Sequence, residues 1–146
     1  MDSNGLSETL AQNQLSFSAP NALILGNGGA AQAVKAALQS LSWQYQIVSR
    51  QAQRGDFTYD NLPPARIAAV QAIINTTPLG MHPNVRAAPA INYEAISPQT
   101  LCFDLVYNPE HTAFMQGAEQ VQAFAKNGLD MLHYQADRAW EIWQQA

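Results

Sequence analysis

Two rhythms of apolar residues alternate along the chain. Short apolar runs occur at Ala22, Leu23, Ile24 and Leu25, at Tyr45, Ile47 and Val48, at Ala72, Ile73 and Ile74, and from Leu101 to Val106. Runs this short, with little polar alternation, predict strands covered on both faces, as in a parallel sheet. Between them the period changes: Ala30, Val34, Ala37, Leu38 and Leu41 recur at helical spacing, and so do Leu129, Leu132, Ala136, Ala139, Trp140 and Trp143 near the end. The two tryptophans on that last stripe either join the core or dock on something outside this chain. Strands alternating with helices predict an α/β fold, an open, mostly parallel sheet with helices on both faces.

The remaining segments fill in this plan. Asp2, Ser3 or Asn4 can cap a helix running to Leu15, with Leu6, Leu10 and Ala11 on one face, and Ser16 to Pro20 connects it to the first strand. From Gln51 to Pro64 the chain is polar and turn-rich, and Pro63 and Pro64 forbid regular helix before Ala65. A helical turn is expected around Tyr93 to Ile96 inside a proline-punctuated loop from His82 to Thr100. Thr112 starts a helix to about Gln120, weakened by Gly117; Val121 to Lys126 is read as a strand, and Asn127-Gly128 as a turn. One domain is expected, with an entry helix and connector at 1–18, a core at 19–126 and a terminal helix at 127–146.

Candidate chemistry begins where the first strand stops. Gly26, Gly28 and Ala31 fit the spacing G-x-G-x-x-A, in which the first glycine permits a tight turn, the second admits a pyrophosphate to the backbone, and the small third residue lets helix and strand pack closely. The helix that follows presents unpaired N–H groups and the positive end of its dipole to an anion. A fold selecting NAD usually ends its second strand with a carboxylate for the ribose 2′-OH; here Ser49 and Arg50 stand there, with Arg54 close behind. A guanidinium suits a 2′-phosphate, so the pattern favours NADP in a Rossmann-like domain. Taken alone, Arg50 would read as a solvated surface arginine.

Asn75, Thr76 and Thr77 follow the third strand, at the sheet edge where ligands bind in such folds; a plain turn before Pro78 explains them equally well. Asp104 is an acid inside an apolar run, which requires that it be paired or stand at the strand's exposed end.

Composition narrows the partners. The 146 residues are 47% hydrophobic and only 12% charged, so Gln, Asn, Ser and Thr must carry much of the surface. A net charge of −4 argues against a general nucleic-acid binder, which needs a broad basic face. Cys102 is the single cysteine, flanked by Leu101 and Phe103, and reads as an inert buried thiol. His82, His111 and His133 are far apart, with no metal-ligand spacing; His133, just off the terminal stripe, reads as a surface or edge histidine. No apolar run is long enough to span a bilayer and the first residues lack the parts of a signal peptide, so a cytoplasmic setting is the expectation.

Several blocks together resemble shikimate dehydrogenase, specifically its carboxy-terminal NADP-binding domain, over nearly the whole chain. Gly26-Asn27-Gly28-Gly29-Ala30-Ala31 is similar to the family's GxGGAA loop, and Ser49-Arg50-Gln51 to its Asn-Arg-Thr. Asn75-Thr76-Thr77-Pro78-Leu79-Gly80-Met81 resembles the family's cofactor-lining Asn-Ala/Thr-Thr/Ser-x-x-Gly-Met. In Asp104-Leu105-Val106-Tyr107-Asn108-Pro109 the resemblance gives Tyr107 to the substrate and the backbone of Leu105 and Val106 to the nicotinamide. Asn127-Gly128-Leu129-Asp130-Met131-Leu132 and Gln135-Ala136 resemble the last block, which implies Gly128 and Met131 at the nicotinamide and Gln135 at the substrate. Asp130 departs from the family's usual glycine.

At the start, Met1-Asp2-Ser3-Asn4-Gly5 resembles the family's Asn-Thr-Asp-x-x-Gly cut off inside the motif, so Asp2 would correspond to the catalytic aspartate. Its lysine partner belongs to the family's substrate domain. The resemblance thus implies a cofactor domain excised from an enzyme in which NADPH reduces 3-dehydroshikimate to shikimate, able to bind NADP but with little turnover alone. An apolar surface near the first and last helices, left by the missing domain, would favour self-association. The alternatives are a quinate/shikimate dehydrogenase using NAD and a non-catalytic nucleotide-binding module.

Overall fold

A computed structural model describes residues 20–128 and 136–138 of the chain. Its centre is a five-stranded, wholly parallel sheet built from β1 (Asn21–Leu25), β2 (Gln44–Val48), β3 (Ala72–Asn75), β4 (Leu101–Asp104) and β5 (Phe124–Asn127) in the order β2-β1-β3-β4-β5. Three helices are described in full: α1 (Gly29–Ser40), α2 (Pro64–Ala69) and α3 (Ala113–Gln120).

Two-residue alternation divides each strand between two cores. Ala22, Ile24, Ile47, Ala72, Ile74 and Phe103 point to one side, where they meet Ala31, Val34 and Leu38 of α1 and also Ala136. Leu23, Leu25, Val48, Ile73 and Cys102 point to the other, against Ile67 of α2 and Phe114, Met115 and Ala118 of α3. Helices therefore cover both faces, which is why the strands read as continuous apolar runs. On α1 the wall against the sheet begins at Ala31 and not Ala30, which is exposed, because the helix starts only at Gly29.

Other boundaries move for local reasons. Asp104 closes β4 two residues before the end of its apolar run, since its own carboxylate accepts the Val106 N–H at 2.9 Å and bends the chain. α2 starts at Pro64, one residue earlier than expected: a proline in the first helical position gives up no intrahelical bond, and Pro63 stands outside in extended conformation. β5 is a true strand but begins at Phe124, after Gln122 turns at φ 64°, and runs through Asn127. The expected turn near Tyr93 is a 3-10 helix at Tyr93–Ala95.

The connection from β2 to β3 carries a 3-10 turn at Ala52–Arg54 and then folds back along the free edge of β2. The Asp56 and Phe57 N–H groups donate to the Ile47 carbonyl, Ser49 N–H to the Phe57 carbonyl, and the Asp56 carboxylate accepts the Ile47 N–H at 2.8 Å. This strap closes an edge that would otherwise expose a row of unpaired backbone groups. The expected helix up to Leu15, and the terminal helix apart from 136–138, lie outside the described residues, as does His133. Among the described residues no helix is long and apolar enough to cross a membrane, and no cluster of three His, Cys, Asp or Glu side chains could hold a metal ion.

Candidate functional site

β1 lies at the point where the strand order reverses, because the chain leaves it for β2 on one side and returns to β3 on the other. A crevice necessarily opens there beyond the carboxyl ends, since the loops diverge. It has a volume of about 340 Å³ and three walls: Gly26, Asn27 and Gly28 after β1; Ser49, Arg50, Gln51, Arg54 and Tyr59 after β2; Thr76, Thr77, Pro78 and Leu79 after β3.

Gly26 is the residue on which these walls converge. It stands at φ +102°, and a Cβ there would lie 2.7 Å from Thr76 Oγ1 and 2.9 Å from Thr77 Cγ2, so neither the turn nor the space admits a side chain. Thr76 is held against it by hydrogen bonds from its N–H and its hydroxyl to the Leu25 carbonyl, at 2.9 and 2.6 Å. At Gly28 and Gly29 the reverse holds: a Cβ would meet no protein atom within 4 Å. Among the described residues the loop there faces open space, and α1 has no side-chain cap at Gly28, leaving its first-turn N–H groups without a capping acceptor from those residues. Bare N–H groups and the positive end of a twelve-residue helix suit an oxyanion.

The second wall is cationic. Arg50 is exposed and has no hydrogen-bond or ion-pair partner among the described residues. Tyr59 stands close by: burial raises its phenol above the usual value, and the Arg50 charge acts in the opposite direction. Ser49 is buried, its hydroxyl accepting the Gln51 N–H at 3.2 Å, so it shapes the turn that carries Arg50. Arg54 donates from Nη2 to the Asn27 carbonyl at 2.8 Å, joining the first two walls.

Asn75 belongs behind the third wall. It is wholly buried, its Oδ1 accepting from the Thr77 N–H and hydroxyl at 3.0 and 2.7 Å, while its Nδ2 donates to Asp104 at 3.0 Å. It shapes the Thr76-Thr77 turn without reaching the crevice. Asp104 takes the first of the two ways open to an acid in an apolar run: it is paired, and with hydrogen-bond donors rather than a cation. It stands at the carboxyl end of β4, wholly buried, and its partners are the neutral donors Asn75, Val106 N–H and the Thr112 hydroxyl. Burial raises its carboxyl pKa, offset in part by those three bonds. Burial likewise pushes the Cys102 thiol up to about 12, leaving an unreactive group.

Not all the sequence candidates meet in the crevice. Gly26, Asn27, Gly28, Ser49, Arg50, Arg54, Thr76 and Thr77 line it, with Gly29, Ala30 and Ala31 opening the adjoining helix. Met81, Leu105, Val106, Tyr107 and Gly128 lie farther along the same carboxyl edge, after β3, β4 and β5. Met81 and Tyr107 are exposed, Val106 is buried, and the His82 N–H donates to the Asn108 carbonyl at 2.9 Å to tie their loops together. Gly128 turns at φ +100° with its N–H on the Asp104 carbonyl at 3.0 Å. Asp2, Met131 and Gln135 lie outside the described residues. Two neighbours of the crevice carry no motif: Tyr59, an aromatic in a polar turn stretch, and Lys35, the only cation of α1, whose Nζ donates to Asn27 Oδ1 at 2.9 Å.

No protein-family model matches the chain. The shikimate dehydrogenase (NADP(+)) of Trichormus variabilis is 37% identical over 143 residues, which take in 85% of this chain and 50% of that protein. That of Carboxydothermus hydrogenoformans is 30% identical over 156 residues, 97% of this chain and 56% of the other. Among solved structures, shikimate 5-dehydrogenase of Thermus thermophilus in complex with NADP(H) and shikimate is similar with a TM-score of 0.64 and 27% identity, over 99% of this chain and 56% of that one. The chain spans about half the length of the curated relatives it matches. By sequence and by fold, over that half, it belongs to the shikimate dehydrogenase family of oxidoreductases.

Proposed function

We propose that this chain is the NADP-binding part of a shikimate dehydrogenase, with the pyrophosphate on the Gly26–Gly28 loop and the 2′-phosphate of the adenosine ribose on Arg50. The observation that carries the reading is the pairing, across one crevice, of a glycine loop open at Gly28 with an arginine that has no partner among the described residues. A carboxylate at Arg50 would repel that phosphate; a guanidinium offers it charge and paired donors. Thr76 and Thr77 close the third side, and Leu105, Val106, Gly128 and Met131 are assigned to the nicotinamide half, with Tyr107 and Gln135 toward the substrate.

When bound, NADPH supplies a hydride to the carbonyl of 3-dehydroshikimate. What these residues contribute is position, because hydride transfer demands near contact between two carbons and an enclosure that excludes water. Asp2 is assigned to proton transfer with a lysine. The sequence contains only Lys35 and Lys126, on α1 and β5 of the cofactor fold, so these 146 residues by themselves bind NADP with little or no turnover. Titration with NADPH followed by nicotinamide fluorescence tests the binding; absence of saturation overturns it, and tighter binding of NAD than NADP favours a quinate/shikimate dehydrogenase. Saturable oxidation of NADPH by 3-dehydroshikimate overturns the inactivity. The first and last helices, where an apolar surface favouring self-association is expected, lie outside the described residues apart from 136–138. Leu79, Met81, Val85 and Tyr107 are exposed large hydrophobics elsewhere and support the same reading, against which a concentration-independent monomer in light scattering would count.

A further inference from the structure

Asn27, between the two glycines of the crevice loop, is a junction of three elements. Its Nδ2 donates to the Arg54 carbonyl at 2.6 Å, Arg54 Nη2 donates back to the Asn27 carbonyl at 2.8 Å, and Lys35 Nζ donates to Asn27 Oδ1 at 2.9 Å. The circuit runs from α1 through the glycine loop to the turn after β2. It holds two cations, and among the described residues neither forms a salt bridge with a carboxylate. Lys35 lies about two helical turns into α1, yet its ammonium reaches back to the loop beside the open N–H groups at Gly28 and Gly29.

Such an arrangement has a cost unless an anion completes it. Two uncompensated positive charges held near one loop repel each other, and tethering a lysine side chain loses rotamer freedom. An oxyanion resting on the loop would offset the repulsion while the Asn27 amide keeps the loop from rotating.

We infer that Lys35 is a positioning residue for the cofactor's pyrophosphate, acting through Asn27 to hold the glycine loop in its anion-receiving form. This rests on the reading that the crevice takes NADP. It divides the cationic groups into two kinds: Lys35 and the Asn27–Arg54 bridge serve the pyrophosphate, common to NADP and NAD, whereas Arg50 serves the 2′-phosphate alone.

Calorimetric titration of Lys35→Met with NADP+, NAD+ and adenosine 2′-monophosphate tests the division, since the last ligand lacks a pyrophosphate. NADP+ and NAD+ should weaken by the same factor, about three- to tenfold, with adenosine 2′-monophosphate changed by less than about twofold. Lys35→Arg should restore both dinucleotides. Lys35→Gln, which keeps an amide donor without the charge and serves if the methionine variant fails to fold, should restore neither. Unchanged dinucleotide affinity in a folded Lys35→Met or Lys35→Gln variant overturns the inference, as does a loss confined to NADP+ or a loss of all three ligands. If the unsubstituted chain binds none of the three, the crevice reading itself fails, and this inference with it.

Discussion

Asn75 and Asp104, register partners at the carboxyl ends of β3 and β4, are joined by a 3.0 Å bond from Asn75 Nδ2 to Asp104 Oδ1, and neither side chain reaches solvent. The same carboxylate accepts from the Thr112 hydroxyl at 2.7 Å, and Thr112 in turn caps α3 by accepting the Met115 N–H at 3.2 Å. One buried acid therefore ties the loops after two strands to the start of a helix. Asp104→Ala would strand three buried donors and should cost about 2–4 kcal/mol. Asp104→Asn keeps one acceptor oxygen for Asn75 and Val106 and should cost about 1 kcal/mol in a denaturant titration.

The same group sets a pH dependence. Its carboxyl pKa is raised in the folded protein above an ordinary value of 3.8, chiefly by burial, so between those two values the folded state binds more protons than the unfolded chain. Stability from this group is therefore fullest below pH 3.8 and declines as pH rises toward the folded pKa, beyond which it is constant. Asp104→Asn should remove this component of the slope. Chemical denaturation of both proteins at a series of pH values checks it, and identical slopes would contradict the assignment.

Gly26→Ala should damage the crevice before the fold. Its positive φ and the 2.7 Å approach to Thr76 Oγ1 force strain on the turn, about 1–3 kcal/mol, with the Thr76-Thr77 loop displaced to relieve it. A fall in melting temperature together with lost NADPH binding is the expected result. Unaltered binding would mean that the turn does not shape the site.

Arg50→Ala should weaken NADP by about 1–3 kcal/mol, the loss of a charged hydrogen-bond partner, and leave NAD nearly unchanged. Because Arg50 has no protein partner to lose among the described residues, its melting temperature should not move. Parallel titrations with the two cofactors give the ratio directly.

Gly117→Ala sets helix propensity against packing. In α3 the alanine would gain about 1 kcal/mol from propensity. A Cβ there, however, would stand 2.5 Å from the Tyr93 ring, which is pinned by its hydroxyl on the Pro89 carbonyl at 2.8 Å and packs edge-on against Phe114. Overpacking of that kind costs about 1–3 kcal/mol, so net destabilisation is expected in thermal unfolding. Stabilisation would show that Tyr93 moves freely.

What could be read from the linear chain is what local physics controls. Strands buried on both faces must be apolar throughout, and so β1, β3 and β4 announced themselves. A strand, a left-handed glycine and a helix are neighbours in sequence, so the loop at Gly26–Gly28 and the cation at Arg50 were legible from spacing alone. Thr76 could be read the same way because it follows directly on β3, whereas Tyr107 and Gly128 were named only through the family blocks, and the fold puts them after β4 and β5 on the same carboxyl edge.

Tertiary structure decided everything that depends on contacts across the sheet. Asp104 could be paired or exposed until folding brought Asn75, 29 residues away, and Thr112 to its carboxylate. Lys35 is an ordinary helical lysine until the backbone curls Asn27 under it, and Arg54 closes on that loop from 27 residues away. Gly117 reads as a weak point in a helix and is instead the floor beneath Tyr93. Sequence patterns encode which faces must be hidden from water; which polar groups then meet, and in what geometry, follows only when the hidden faces have been stacked.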